Sequence, residues 1–234
     1  MRKLSQLIVQ SGVWIYREMI AVALFSVVSS LVLLPFVFFL PVGIALVFIA
    51  LVYVPLCTGV LDACHRMLKG EKGRLGPMFR GAVRHYGASV VFALVSALFI
   101  LILVSSWWYY GGRPGTFYFA LAVFQTYFVA MFFISQTYTL PLVVQERIGI
   151  FAAMGKSVKL FAAHPGYTVG AFVQIVCLAF LLGLTVVGFA SLFVGMVGIY
   201  ANLITANLLP KKEADAAGGE PENGRANADG FRTV

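Results

Sequence analysis

Two long uncharged runs constrain this chain more than any motif does. No charged residue occurs from Met19 to Leu61 or from Tyr167 to Leu209, 43 residues in each case. One helical crossing of a bilayer takes about 20 apolar residues, so each run holds a hairpin of two spans. With only 11% charged residues and a mean hydropathy of +0.93, the chain falls far below the roughly 25% charge of a water-soluble domain. A surface this apolar is stable only against lipid.

The remaining sequence completes an all-α polytopic bundle of six transmembrane helices with short cytoplasmic interfacial helices. Spans one and two run over about Met19–Leu40 and Val42–Leu61, reversing at Pro41 and Gly43. Span three covers Gly87–Trp108 and ends in the aromatic girdle Trp107, Trp108, Tyr109 and Tyr110. The link GGRPG leads to span four, uncharged from Thr116 to Gln145. That stretch exceeds one crossing, which predicts tilt or a kink at Pro141. Spans five and six occupy Tyr167–Val186 and Ala190–Leu209.

Three segments between the spans read as amphipathic helices. Residues 1–18 place Leu4, Leu7, Ile8, Ser11 and Ile15 on one stripe. In PMFRGAVRHYG, Phe79, Val83 and Tyr86 oppose Arg80 and Arg84. From Glu146 to His164, Phe151, Met154, Val158 and Phe161 oppose Lys156 and Lys159. Asp62 and Arg66, four apart with the acid first, are spaced for a helical ion pair. The domain plan is therefore 1–18 interfacial, 19–209 membrane-spanning and 210–234 a polar, Gly-rich tail without apolar periodicity, expected to be disordered.

The net charge of +8 does not indicate nucleic acid, because no basic and aromatic face on a soluble domain receives bases. The seventeen Lys and Arg instead report topology. Three precede span one, six lie between spans two and three, three between four and five, and four in the tail, against Arg113 alone on the other side. Both termini are thus expected in the cytoplasm. Arg2 and Lys3 are not expected to begin a cleaved leader, since the apolar run starts only at Met19 and no cleavage site interrupts it. Arg80, Arg84, Lys156 and Lys159 are candidate contacts to lipid headgroups or to an acidic partner surface.

No ionisable residue falls within a span, which weighs against a carrier built round a buried carboxylate and against intramembrane aspartic or metalloprotease chemistry. No phosphate loop is present, and Ser89 has no base in its membrane layer. Cys57, Cys64 and Cys177 read as small buried hydrophobes rather than metal ligands or a disulfide framework. No catalytic site, cofactor or metal is expected.

What the spans carry is neutral polarity. Gln125, Ser135, Gln136 and Thr139 fall on about one third of the span-four circumference, and Gln174, Asn202 and Asn207 could partner them. The alternatives are a polar path for a small solute and hydrogen bonding between helices, worth about 0.6–2 kcal/mol per contact in membranes. Gly166 with Gly170, and Ser191 with Gly195, permit close helix approach. YVPL (Tyr53–Leu56) and YTLPL (Tyr138–Leu142), each followed by an amphipathic helix and a span, suggest a two-copy internal repeat.

The run Pro55–Leu56–Cys57–Thr58–Gly59, then Ala63, Lys69–Glu71, Phe79, and Arg84 ahead of Ser89 resembles the YesL-like family of bacterial integral membrane proteins, which has no established activity. The resemblance covers the middle third of the chain. It implies a bacterial cytoplasmic membrane and an accessory or scaffold role beside a carbohydrate-uptake transporter, with membrane lipids and a transporter complex as partners. A small-solute transporter or channel using span four is the alternative reading.

Overall fold

The computed structural model describes residues 4–111, 113 and 115–209. Gly112 and Pro114 of the GGRPG link, Arg2, Lys3 and the polar tail from Pro210 lie outside them. The described residues are helical, without strands. Along the chain they form α1 (Leu4–Arg17), α2 (Met19–Phe39), α3 (Val42–Phe48), a π-turn (Ile49–Tyr53), α4 (Val54–Leu68), α5 (Leu75–Arg84), α6 (Tyr86–Tyr110), α7 (Thr116–Ser135), α8 (Thr139–Glu146), α9 (Ile150–Ala163), α10 (Pro165–Gly183) and α11 (Val186–Leu208).

Five stretches are long and apolar enough to cross a membrane: Ile44–Leu68, Tyr86–Tyr110, Thr116–Glu146, Pro165–Gly183 and Val187–Leu208. Leu4–Arg17 with Met19–Pro35, bent by 87°, supplies a sixth if the pair is taken as one span. The chain is a multi-pass membrane protein. Within their most apolar windows, Ile44–Leu68 and Val187–Leu208 bury 44% of residues, against 11% for Tyr86–Tyr110, Thr116–Glu146 and Pro165–Gly183. The first two therefore form the centre, and the others present most of their apolar side chains outward, as lipid permits and water would not.

Two spans depart from regular helix just ahead of a proline. Pro55 cannot donate to the carbonyl four residues back and its ring crowds that carbonyl. The chain widens beforehand, and Val54 N–H reaches the Ile49 carbonyl in an i→i−5 bond. In span four the break falls at Gln136–Tyr138 rather than at Pro141. Pro141 is the third residue of α8, where a missing N–H costs nothing. The distortion moves to Thr137, whose carbonyl the ring displaces. At the far end of α8, Arg147 takes a left-handed conformation (φ 54°), rare outside glycine, and the chain turns into α9.

The amphipathic helices pack through seams of small or flexible residues. On α5 the buried residues are Met78 and Gly81, on α9 Ile150, Ala153 and Ser157, and on α1 Leu7 and Ser11. Their larger apolar residues point outward: Phe79 is 48% exposed, Val83 77%, Phe151 74% and Val158 44%. Helix α5 lies so close to α4 that a Cβ on Gly59 would strike the Met78 carbonyl oxygen, and one on Gly81 would stand 2.8 Å from the Asp62 carboxylate. Asp62 is buried and pairs with Arg66 Nε at 3.0 Å, as the spacing predicts.

Candidate functional site

Many of the neutral polar residues of the spans bond between helices, and three clusters hold the amides and tyrosines among them, while the buried Ser96 and Ser106 hydroxyls have no partner among the described residues. The first lies where α4, α8 and α11 meet. Asn202, 1% exposed, donates through Nδ2 to the Leu61 carbonyl at 3.0 Å and the Gly198 carbonyl at 2.8 Å. Gln145 Nε2 donates to Asn202 Oδ1 at 2.9 Å and to its main-chain carbonyl at 3.0 Å. Both amide donors and the amide oxygen of Asn202 are thus engaged.

The second cluster surrounds the break in span four. Ser157 Oγ donates to the Ser135 carbonyl at 2.6 Å and accepts from Tyr138 N–H at 3.3 Å, so a side chain of α9 serves backbone groups that the break leaves free. Tyr138, fully buried, donates from its hydroxyl to Thr168 Oγ1 on α10 at 3.1 Å. Thr139 Oγ1 donates to Gln136 Oε1 at 2.7 Å, while Gln136 Nε2 makes a long contact of 3.4 Å to Ser135 Oγ. The third cluster joins α10 and α11. The Tyr200 hydroxyl donates to Gln174 Oε1, and Asn207 Nδ2 donates to the Tyr167 hydroxyl at 3.1 Å.

The sequence-predicted set is therefore divided. Ser135, Gln136 and Thr139 do come together, with Gln136 buried at 6% exposure. Gln125 sits half-buried on the α7 seam that includes Ala122 and Val129, with no hydrogen-bond partner among the described residues. Among the described residues, neither Gln174 nor Asn207 shows a hydrogen bond to span four, as a shared polar face would require. They pair with tyrosines on α11 and α10 instead. Sequence reasoning passed over Gln145, Tyr138, Ser157 and Thr168. Gln145 stands next to the charged Glu146 and reads as the frayed end of a span. The hydroxyl residues have one usable signal, recurrence at the start of a span after an amphipathic helix, as with Ser89 and Thr168.

A cavity of about 320 Å³ lies between the central spans. Its walls include Tyr53, Cys57, Phe133, Ile175 and Val197, and Gln136 and Thr137 bring polar atoms to it. The Thr137 hydroxyl is already bonded to the Ile134 carbonyl at 2.8 Å. Leu61, Leu140 and Ala201 also line the cavity, and these three pack with Val144 in a buried cluster. The adjoining residue, Asn202, carries the clamp to Gln145. Toward the charged ends of α4 and α8 the cavity thus meets an apolar layer backed by satisfied amides, and its lining suits an apolar guest better than a polar solute.

At those charged ends, Lys156 Nζ binds Glu146 Oε1 at 2.6 Å, and the lysine side chain stays 30% exposed. Arg80, Arg84 and Lys159 are exposed. His85 is buried between α5 and α6, and burial holds its imidazole below the ordinary value of 6.5. Asp62 opposes that shift, while Arg84, Arg147 and Arg66 reinforce it. At the opposite end Arg113 stacks its guanidinium over the Tyr109 ring at 4.2 Å. Among the described residues no group of three or more His, Cys, Asp or Glu is placed to hold a metal ion. No protein-family model, curated protein or solved structure matches the chain.

Proposed function

We propose that this protein is a non-enzymatic accessory or scaffold protein of a bacterial cytoplasmic membrane, with six spans, both termini cytoplasmic and a transport system as its partner. The observation that carries this reading is how the polar groups are distributed. Inside the bundle, Asn202, Gln145, Tyr138, Thr168 and Ser157 are spent on bonds between helices. At the charged end, Arg80, Arg84 and Lys159 stand exposed beside the outward Phe79, Val83 and Phe151. A surface that combines cationic and aromatic groups suits anionic headgroups and an acidic protein partner. The positive-inside bias supports the orientation, and the YesL-like resemblance in Pro55–Gly59 and Lys69–Glu71 supports the association with carbohydrate uptake.

Affinity purification in a mild detergent, with wild type and the Arg80→Glu/Arg84→Glu double variant side by side, tests this. A stoichiometric transporter subunit should accompany the wild type and be lost from a variant of unchanged thermal stability. Recovery of the wild type with lipid alone would overturn the proposal. The second reading, a small-solute transporter or channel, draws support from Gln136 at the cavity wall. It requires solute flux that responds to that side chain.

A further inference from the structure

We infer that residues 4–208 are three copies of one unit, each an amphipathic helix, an outgoing span and a returning span, closed into a ring where the first helix docks on the last. The units are α1–α2–α3/α4, α5–α6–α7/α8 and α9–α10–α11. This goes beyond the two-copy repeat suggested by YVPL and YTLPL and is independent of the proposed function.

In each unit a single residue separates the amphipathic helix from its span: Glu18, His85 and His164. Their backbones are alike in kind, at φ −112° ψ 29°, φ −101° ψ 14° and φ −138° ψ 64°. Each corner N–H donates to the carbonyl four residues back, on Trp14, Gly81 and Leu160, at 3.0 Å in all three. Each corner carbonyl accepts from the residue four ahead, Val22, Ser89 and Thr168, at 3.0, 3.0 and 3.1 Å. The last bond of each amphipathic helix and the first bond of its span therefore share the corner residue in all three units.

Burial follows the same register. The residue seven before the corner is Ser11, Met78 or Ser157, at 5%, 0% and 0% exposure. The residue four after it, Val22, Ser89 or Thr168, is fully buried in each unit. Each time, that residue meets the returning span of the preceding unit. Ser89 Oγ donates to Thr58 Oγ1 at 2.8 Å, Thr168 Oγ1 accepts from the Tyr138 hydroxyl at 3.1 Å, and Val22 packs on Gly195, where a Cβ would stand 2.8 Å from Val22 Cγ1.

The packing order closes the ring. Helices α5 and α6 lie on α4, α9 on α8 with α10 on α7, and α1 and α2 on α11. The returning helices α4, α8 and α11 pack on one another and contribute Leu61, Val144 and Ala201, one each, to a shared buried cluster. Any bundle of hairpins would bring neighbouring spans together, but it would not require three one-residue corners with buried residues at the same two offsets.

Circular permutation tests the closure on the whole folded body. Leu4 and Leu209 pack against the same core cluster, which contains Leu7 and Leu208, so a short Gly/Ser linker can join residue 209 to residue 4. New termini are opened in the α4–α5 link at Gly70–Gly73, or in the α8–α9 link at Ile148–Gly149. Every unit starts and finishes at the same end of the bundle, so both permutants keep the direction of insertion. Recovery of either permutant as monodisperse protein, with a Tm within a few degrees of wild type, is expected, and loss of both would overturn the ring. A second measurement does not depend on permutation. One alanine inserted after Glu18, His85 or His164 turns the following span by about 100°. A similar fall in Tm at all three corners is expected, and a corner that tolerates the insertion would show that the units are not equivalent.

Discussion

Gln145 and Asn202 are joined twice, side chain to side chain at 2.9 Å and side chain to main-chain carbonyl at 3.0 Å, so that α8 is held to α11 at the point where α11 is held to α4. Both residues are neutral, which lets the clamp sit in an apolar bundle without the cost of burying a charge. Asn202→Leu removes the bond to Leu61 and leaves Gln145 only the main-chain carbonyl. The substitution should destabilise the protein by about 1–3 kcal/mol, read as a drop in Tm of several degrees in detergent. An unchanged Tm would mean that the clamp carries no net stability.

Glycine contacts give a paired prediction. At Gly59 an added methyl meets the Met78 carbonyl and stands 2.9 Å from Ala82 Cβ, whereas at Gly166 it meets nothing within 4 Å. Gly59→Ala should therefore cost about 1–3 kcal/mol by pushing α5 off α4. Gly166→Ala should be neutral or gain up to about 1 kcal/mol from helix propensity. Thermal melts of the two variants check this, and the reverse order would contradict the packing of α4 on α5.

Much of the fold was legible because lipid makes charge placement informative. Uncharged runs marked the spans, the Asp62–Arg66 spacing marked a real ion pair, and the alternation of Phe79, Val83 and the arginines marked α5. Position along the chain did not reveal partners. Asn202 binds Leu61 and Gln145 because of the rotation of three helices against one another, which no local pattern encodes. The GxxxG at Gly166 and Gly170 illustrates the limit. Gly166 faces open space and Gly170 meets Leu4 of α1, because the motif specifies smallness and not the identity of the neighbour. The break in span four was displaced from Pro141 for a similar reason, since a proline acts on the carbonyl one turn before it.

His85 supplies a pH dependence outside the spans. Burial holds its folded pKa below the ordinary 6.5, with Asp62 opposing and Arg84, Arg147 and Arg66 reinforcing. Below that pH the unfolded chain binds the proton more readily than the folded one. The stability from neutral His85 is therefore complete above 6.5 and is lost as the pH falls through the lowered value. The Tm should decline on acidification from about pH 7 to 5, and His85→Gln should flatten that decline. Parallel slopes for the variant and wild type would remove His85 as the cause.

Topology is tested by reporter fusions that are active only outside the cytoplasm. A fusion after Leu209 should be inactive, and an insertion at Gly112 should be active. The opposite pattern, or activity at both sites, would contradict six spans with Lys and Arg inside.

If the polar groups of the bundle are structural, their loss lowers stability and opens or closes no path for solute. Gln136 is the residue where that can fail, because it is buried, lines the cavity and makes only a long contact through Nε2. The decisive measurement pairs the Tm of Gln136→Leu with stopped-flow glycerol permeability of proteoliposomes that contain wild type or variant. The account predicts a Tm lowered by a few degrees, with both proteins as impermeable as protein-free liposomes. Rapid glycerol entry through the wild type, abolished in a variant of unchanged Tm, would contradict it.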